Sequence, residues 1–270
     1  MSILRVRAAR SQRPQGLVLY NRPSMIDGEP IVVIATGFQR VSENPKTGNM
    51  IQTWILRSDV NPVEAIHTGQ DASICGDCPL RGIIETSQHR TVNRRRACYV
   101  NVHQAPLAVY QAYQRGRYEP FNKREHLDLF RDRMLRIGSY GDPVAAPYPL
   151  WSMLARAARG RTGYTHQWRV GRFWRFRQLV MASIESIDDA RLAQSRGWRT
   201  FRTMRPGVQP STGEFRCPAS KEAGYRLDCA ACTACGGASR GKGEVQSVSV
   251  AISAHGSPAA LGSYMRTFAA

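Results

Sequence analysis

The chain has no apolar run approaching the roughly 20 residues that a helix needs to span a bilayer. That excludes a helical membrane anchor. The basic N-terminus, Met1 to Arg10, is not followed by an apolar stretch, so no signal peptide is read there, and the expected compartment is the cytoplasm. Acidic residues are scarce: Asp+Glu number 20 against 38 Lys+Arg, a formal net charge of +18. Lysine is scarce too, and nearly all the basic residues are arginine. An even cysteine count is missing: there are 7. An odd number without an export signal argues against a disulfide framework. No fixed-period repeat and no low-complexity tail is present.

The 270 residues suffice for one large domain or two small ones, and 42% hydrophobic content builds a sizeable core. Arginine over lysine follows simply from a G·C-rich genome. The excess of bases over acids does not. A planar guanidinium fork suits phosphate, so a polyanionic partner is expected, with a merely solvated basic surface as the alternative.

The C-terminal cysteines are the most specific signal. Cys217-Pro218 is followed by Cys229-Ala230-Ala231-Cys232-Thr233-Ala234-Cys235. C-x-x-C-x-x-C wraps one loop around a cubane cluster, each thiolate reaching a different iron, and a remote Cys-Pro completes the shell. Zinc more often takes two separated C-x-x-C knuckles. A [4Fe–4S] cluster is therefore expected, with zinc, or disulfide and free thiols, as alternatives. The first group, Cys75-Gly76-Asp77-Cys78-Pro79 with Cys98, offers only three thiolates. His67, His89, His103, Asp71 or Asp77 would supply a fourth ligand. Otherwise one iron is left open to substrate or cofactor, or a C-terminal cysteine belongs here. A histidine-completed zinc knuckle is the plainer reading. The expected cofactor is one or two [4Fe–4S] clusters, with zinc as the alternative.

Two basic stretches point to nucleic acid, DNA or RNA. Arg94, Arg95 and Arg96, with Arg90 nearby, precede Cys98. Further on, Gln167 to Arg177 interleaves Arg172, Arg175 and Arg177 with Trp174 and other aromatics. Arginine neutralises phosphate while rings stack bases. A cationic helix with a core-facing aromatic side is the alternative, and the spacing of Phe173, Phe176 and Val180 supports it for those residues.

Residues 1–30 read as an irregular lead-in. Ile31 to Ala35 and Met50 to Leu56 read as strands around strong turn chemistry, a β-hairpin. A helix follows over Ala105 to Gly116. From about residue 135 short strands alternate with helices: a strand running into a Gly-rich loop over Leu135–Pro143, strands at Thr162–Trp168, Leu179–Ile184, Trp198–Thr203 and Val245–Ser253, helices at Leu150–Ala158 and Ile187–Ser195. This is the α/β pattern, a partial or complete (β/α) barrel with an N-terminal hairpin and cysteine-rich loops. The expected division is 1–130, with the hairpin and first cysteines, and 131–270, with the barrel-like region. Asp142, Tyr164, His166, Glu185 and His255 sit near strand ends. Together they suit acid–base chemistry or metal ligation; singly, each also fits a turn or cap.

The stretches Lys46-Thr47-Gly48-Asn49-Met50, Cys75-Gly76-Asp77-Cys78-Pro79-Leu80-Arg81, Gly138-Ser139-Tyr140-Gly141-Asp142-Pro143, Thr162-Gly163-Tyr164-Thr165-His166-Gln167-Trp168, Gly197-Trp198-Arg199-Thr200-Phe201-Arg202 and Cys217-Pro218-Ala219-Ser220 carry a resemblance. Through them the chain resembles a family of bacteriophage-encoded, cysteine-rich proteins, which implies a phage origin and no particular activity. More distantly, the Gly-Asp-Pro and Tyr-Thr-His strand ends are similar to those of radical S-adenosylmethionine barrels. The C-x-x-x-C-x-x-C and Gly-Gly-Glu motifs of those enzymes have no counterpart here. The functions expected are an iron–sulfur enzyme on nucleic acid or nucleotides in phage modification or replication, or a non-catalytic nucleic-acid-binding protein with structural metal sites. A phage assembly or host-interaction component is the weaker alternative.

Overall fold

The computed structural model describes residues 13–39, 42, 44–87, 91–238 and 249–268. His89 and Arg90 lie outside them, as do residues 245–248 of the last expected strand.

Twelve strands are described: β1 (Gly16–Pro23), β2 (Pro30–Thr36), β3 (Met50–Arg57), β4 (Ile83–Thr86), β5 (Thr91–Arg94), β6 (Glu119–Pro120), β7 (Met134–Tyr140), β8 (Gly160–Thr165), β9 (Met181–Ile184), β10 (Thr200–Met204), β11 (Glu214–Arg216) and β12 (Ser249–Ser253). The α-helices are α1 (Pro62–Thr68), α2 (Ala72–Cys75), α3 (Ala105–Gln114), α4 (Lys123–His126), α5 (Tyr148–Ala157), α6 (Ile187–Ser195), α7 (Cys229–Cys232) and α8 (Pro258–Thr267).

Ten strands form one sheet in the order β11-β12-β10-β9-β8-β7-β3-β2-β1-β6. From β3 to β12 the neighbours run parallel, while β2 pairs antiparallel with both β1 and β3. The sheet passes through residue 130 without a break, because β3 lies beside β7. Among the described residues it is open, with β11 and β6 at its edges. A strand buried on both faces reads as a continuous apolar run, as Ile31-Val32-Val33-Ile34-Ala35 of β2 does.

Helix starts follow local chemistry. Asn61 caps α1 ahead of Pro62, Ser186 caps α6 with Asp188 and Asp189 in its first turn, and Ser257 caps α8 ahead of Pro258. Three elements differ from expectation. The lead-in contains β1, whose Leu17 and Leu19 are buried against the sheet. A small hairpin, β4–β5, carries Arg94. The 167–178 stretch is not an α-helix but two 3-10 segments, Gln167–Arg169 and Gly171–Gln178. Burial of Trp168, Phe173 and Phe176 decides its course over propensity.

One face of the sheet packs α5, α6 and the 3-10 segments over Ile137, Val180, Ala182 and Ile184. The other holds a separate core of Met181, Val250 and Ile252 with Cys217 and Cys235. Thr162 on β8 and Val250 on β12 line one small pocket. The four cysteines lie over this second face.

Candidate metal centre

The first cysteine group is assembled by the loop after β3. Asp71 ends a turn whose carboxylate is held by Arg81 at 2.6 Å, and Arg81 also donates to the carbonyls of Gly69 and Gly76. This clamp fixes α2 and the Cys75–Cys78 turn. Cys98 arrives from beyond β5, its amide donating to Leu80 O at 2.9 Å. Arg96 donates to the carbonyls of Cys98 and Val100 and faces the Cys98 thiol. Burial pushes the Cys75 thiol well above its usual range, and Asp71 with Cys78 and Cys98 adds to the shift.

This group lies against the carboxyl ends of the parallel strands. The Asp142 amide donates to Ile74 O, and the Gln167 carboxamide donates to Cys75 O at 3.1 Å. The His166 side chain faces Cys78, and its Nε2 lies 2.9 Å from Glu185 Oε1. Burial lowers the His166 pKa, but Cys78 and Glu185 outweigh it and raise the pKa well above the usual imidazole value. Asp142 accepts from Thr165 Oγ1, His166 N and Val144 N, so its carboxylate positions the β7 and β8 ends.

The second group sits over the sheet face that carries Met181, Val250 and Ile252. Cys217 follows β11, Cys229 and Cys232 lie on α7, and Cys235 follows. All four line the pocket that Thr162, Tyr164, Phe215 and Val250 complete. The loop is tied down through its backbone: Cys229 N donates to Lys46 O, Gly163 N to Cys235 O and Ala238 N to Arg177 O. Gly237, at φ +79°, comes so close that a Cβ would stand 2.7 Å from Val180 N. Burial raises the thiols of Cys217, to about 11, and of Cys235, to about 12. Thiols this reluctant to ionise become thiolates when a metal supplies the positive charge.

Among the described residues, no three His, Cys, Asp or Glu side chains converge closely enough to share one metal ion. A lone zinc draws its thiolates to about 2.3 Å from a single point. A polynuclear cluster spreads them over separate irons. The surroundings fit a thiolate-bound group at both places. The backbone amides of Val100 and Ala219 face the Cys98 and Cys217 sulfurs and favour their ionised forms. Of three buried hydroxyls without a protein partner among the described residues, two lie at these places: Tyr140 Oη, in the field of Cys75 and Cys98, and Thr162 Oγ1, in the four-cysteine pocket; the third is Ser253 Oγ. Each of the first two is a donor left over for an acceptor such as sulfide.

The five strand-end residues do not form one set. Asp142, His166 and Glu185 gather at the first group. Tyr164 instead faces Cys235, with which it lines one pocket, and His255 stacks on Tyr99 at 5.1 Å with its Nδ1 3.0 Å from Ser253 O. Of the expected fourth ligands, His67, Asp77 and His103 are exposed, while Asp71 is committed to Arg81. The histidine at the first group is His166. Tyr99 and Arg136 carried no motif, and Tyr140 and Thr162 stood in the quoted stretches without being singled out; only their places on strands or beside Cys98 could have drawn attention.

Of the basic residues, Trp174 is 52% exposed with Arg177 over its ring at 4.9 Å. Arg172 and Arg175 are exposed, stacked on Phe173 and Tyr148. Arg94 pairs with Glu85, Arg95 is exposed, and Arg96 serves the first cysteine group. Trp168 is core, its indole N–H on Ser183 O. Among the described residues no helix is long and apolar enough to cross a membrane. No protein-family model, no curated protein and no solved structure matches the chain.

Proposed function

We propose that the chain is an iron–sulfur enzyme acting on a nucleic acid or nucleotide, with its reactive cluster on Cys75, Cys78 and Cys98 and a second on Cys217, Cys229, Cys232 and Cys235. A phage modification or replication pathway is the setting that the resemblance implies. The observation that carries the reading is the contact of the three-cysteine group with the strand ends through His166, Asp142 and Gln167. In parallel α/β architectures, barrel-like ones included, chemistry gathers at that edge. A cluster held by three cysteines would supply one-electron chemistry and an iron with a place for substrate. Glu185 fixes the orientation of His166 at that mouth, and Asp142 fixes the strand ends that present it. The exposed Trp174 with Arg172, Arg175 and Arg177 would hold a nucleotide chain by stacking and phosphate contact.

Anaerobic reconstitution followed by iron, sulfide and zinc analysis tests the proposal. Two [4Fe–4S] clusters per chain are expected, one lost in Cys98→Ser and the other in Cys232→Ser. A colourless protein holding stoichiometric zinc overturns it.

The His166–Glu185 contact favours one second reading. A carboxylate behind a histidine is the usual orienting shell of a metal ligand. His166 would then close a Cys3His site, and the protein would be a binder with structural metals. His166→Ala separates the readings: the enzyme site keeps its metal, the closed site loses it.

A further inference from the structure

The Gly171–Gln178 segment has 3-10 geometry, three residues per turn, so side chains three apart eclipse one another. Its residues therefore fall into rows. Phe173 and Phe176, followed by Leu179, form a buried row. Arg172 and Arg175 form a second, and Trp174 and Arg177 a third. An α-helix, at 3.6 residues per turn, would have run these rows into one another. The contacts match the sorting. The Arg172 row leans toward the β1–β2 turn and α5: Arg172 Nη2 donates to Ile26 O at 3.0 Å, and the Arg175 guanidinium stands 4.8 Å from the centre of the Tyr148 ring. The Trp174 row lies toward the end of α6, where Arg177 Nη1 donates to Arg196 O at 3.1 Å.

The two outward rows differ in chemistry. Arg169, Arg172, Arg175 and Arg177 each stand 4.1 to 4.9 Å from the centre of an aromatic ring, a dense run for a contact found about once per 70–80 residues. A guanidinium resting on a ring is pre-organised and loses less freedom on meeting phosphate. Among the described residues no carboxylate pairs with Arg172, Arg175, Arg177 or Arg196. The acids around them are committed elsewhere: Asp189 to Arg169, Asp188 to Arg191, Glu185 to His166, and Asp27 to the amide of Glu29 within its own turn. Trp174 is different. Its ring has two faces; Arg177 stands over it, and with 52% of the residue exposed a face remains for a partner. A duplex keeps its bases stacked on one another and would offer this ring none. A single strand offers phosphates and free base faces together.

Resting on the nucleic-acid reading above, we propose that this segment is a platform for single strands: the Arg172–Arg175 row carries the phosphates of a single-stranded nucleic acid, and Trp174 stacks one of its bases. At about 2.0 Å per residue the segment is about 16 Å long, room for a few nucleotides.

The experiment is equilibrium binding of the full chain to a labelled DNA strand, the RNA strand of the same sequence and the matching DNA duplex, read by fluorescence anisotropy across a salt series. The tighter of the two single strands is expected to bind about tenfold or more better than the duplex, and it identifies the source as DNA or RNA. Trp174→Ala should cut that preference about tenfold, the order of one stacked base, and leave the salt slope in place; Trp174→Phe should keep most of the preference. Arg172→Gln with Arg175→Gln should instead lower the salt slope on the single strand by about 1.4, at roughly 0.7 per phosphate. The strand should also quench the tryptophan emission of the unaltered chain, and do so less in Trp174→Phe, which decides even if Trp174→Ala fails to fold. Equal affinity for strand and duplex, or a Trp174→Ala loss shared by both, overturns the single-strand platform while the nucleic-acid reading stands. A chain that binds none of the three at low salt, or binds only anionic phospholipid vesicles, overturns that reading itself.

Discussion

Gly76 shows how narrowly the first site is built. It adopts φ +54°, and a Cβ there would stand 2.5 Å from the Gln167 carboxamide carbon. The same carboxamide holds Cys75 through its carbonyl. Gly76→Ala is expected to cost about 1–3 kcal/mol through backbone strain alone, and to lower metal content at the first site while sparing the second. Thermal melts and metal analysis read both effects. His255 gives a pH dependence. Burial lowers its pKa below the usual imidazole value, with the Ser253 carbonyl opposing. The unfolded chain therefore binds the proton more tightly. The stability contributed by neutral His255 is present above the unfolded value, near 6.5, and is lost as pH falls through the lower folded value. Melting temperatures between pH 7.5 and 5 should drop, and less steeply in His255→Phe. An equal drop in that variant removes His255 as the cause.

Elements carry the next level. β11 is three residues long and delivers Cys217 to the pocket. Its anchor is Glu214, 4% exposed, whose carboxylate receives both Nε and Nη2 of Arg202 at 2.8 and 2.6 Å. Removing one partner leaves the other charge buried. Glu214→Ala is expected to lose about 3–5 kcal/mol, measured by denaturant unfolding, with the C-terminal site weakened in step. The Gly171–Gln178 segment serves differently: Phe173 and Phe176 are core, while Arg172, Trp174 and Arg175 face outward. If the segment holds phosphates, Arg172→Gln with Arg175→Gln should reduce the slope of log affinity against log salt by about two on duplex DNA, at roughly 0.9 per phosphate. An unchanged slope in filter-binding assays would place the contact elsewhere.

At the scale of the whole molecule, the C-terminal loop stitches distant segments together. Its backbone bonds reach Lys46 before β3, Gly163 on β8 and Arg177 before β9. Metal binding there is coupled to folding, because the ordered loop and the bound thiolates form together. Cys232→Ser is expected to raise hydrogen exchange across residues 217–238 and along β8, whereas Cys98→Ser should loosen α2 and the 96–100 segment. Protection lost over one region only, whichever cysteine is replaced, would contradict two separate metal-dependent units.

The cysteine spacing was readable because it is local: three residues of chain set how far apart neighbouring thiols can lie, whatever the rest does. Two helices were legible for the same reason: Ile187–Ser195 through its acidic first turn and closing glycine, and the one read over Ala105–Gly116 through its apolar period, although it ends at Gln114. Aromatic burial was less so; Phe173 and Phe176 showed their spacing, but the 3-10 course came from packing. The candidate site was half visible. Tyr164 and His166 looked equivalent at one strand end, yet one reaches Cys235 and the other Cys78. Tyr164 lies on β8 and His166 just past its end, and which loop packs against each is decided by segments far apart in the chain that no short window contains. Arg136 read as one arginine among many in a basic chain. Only tertiary structure made it a buried charge without a carboxylate, because burial belongs to neighbours brought together from residues 99, 164 and 229. The sequence by itself determined which residues could hold a metal; the fold decided which of them face strand ends, which face a cation, and what lies between.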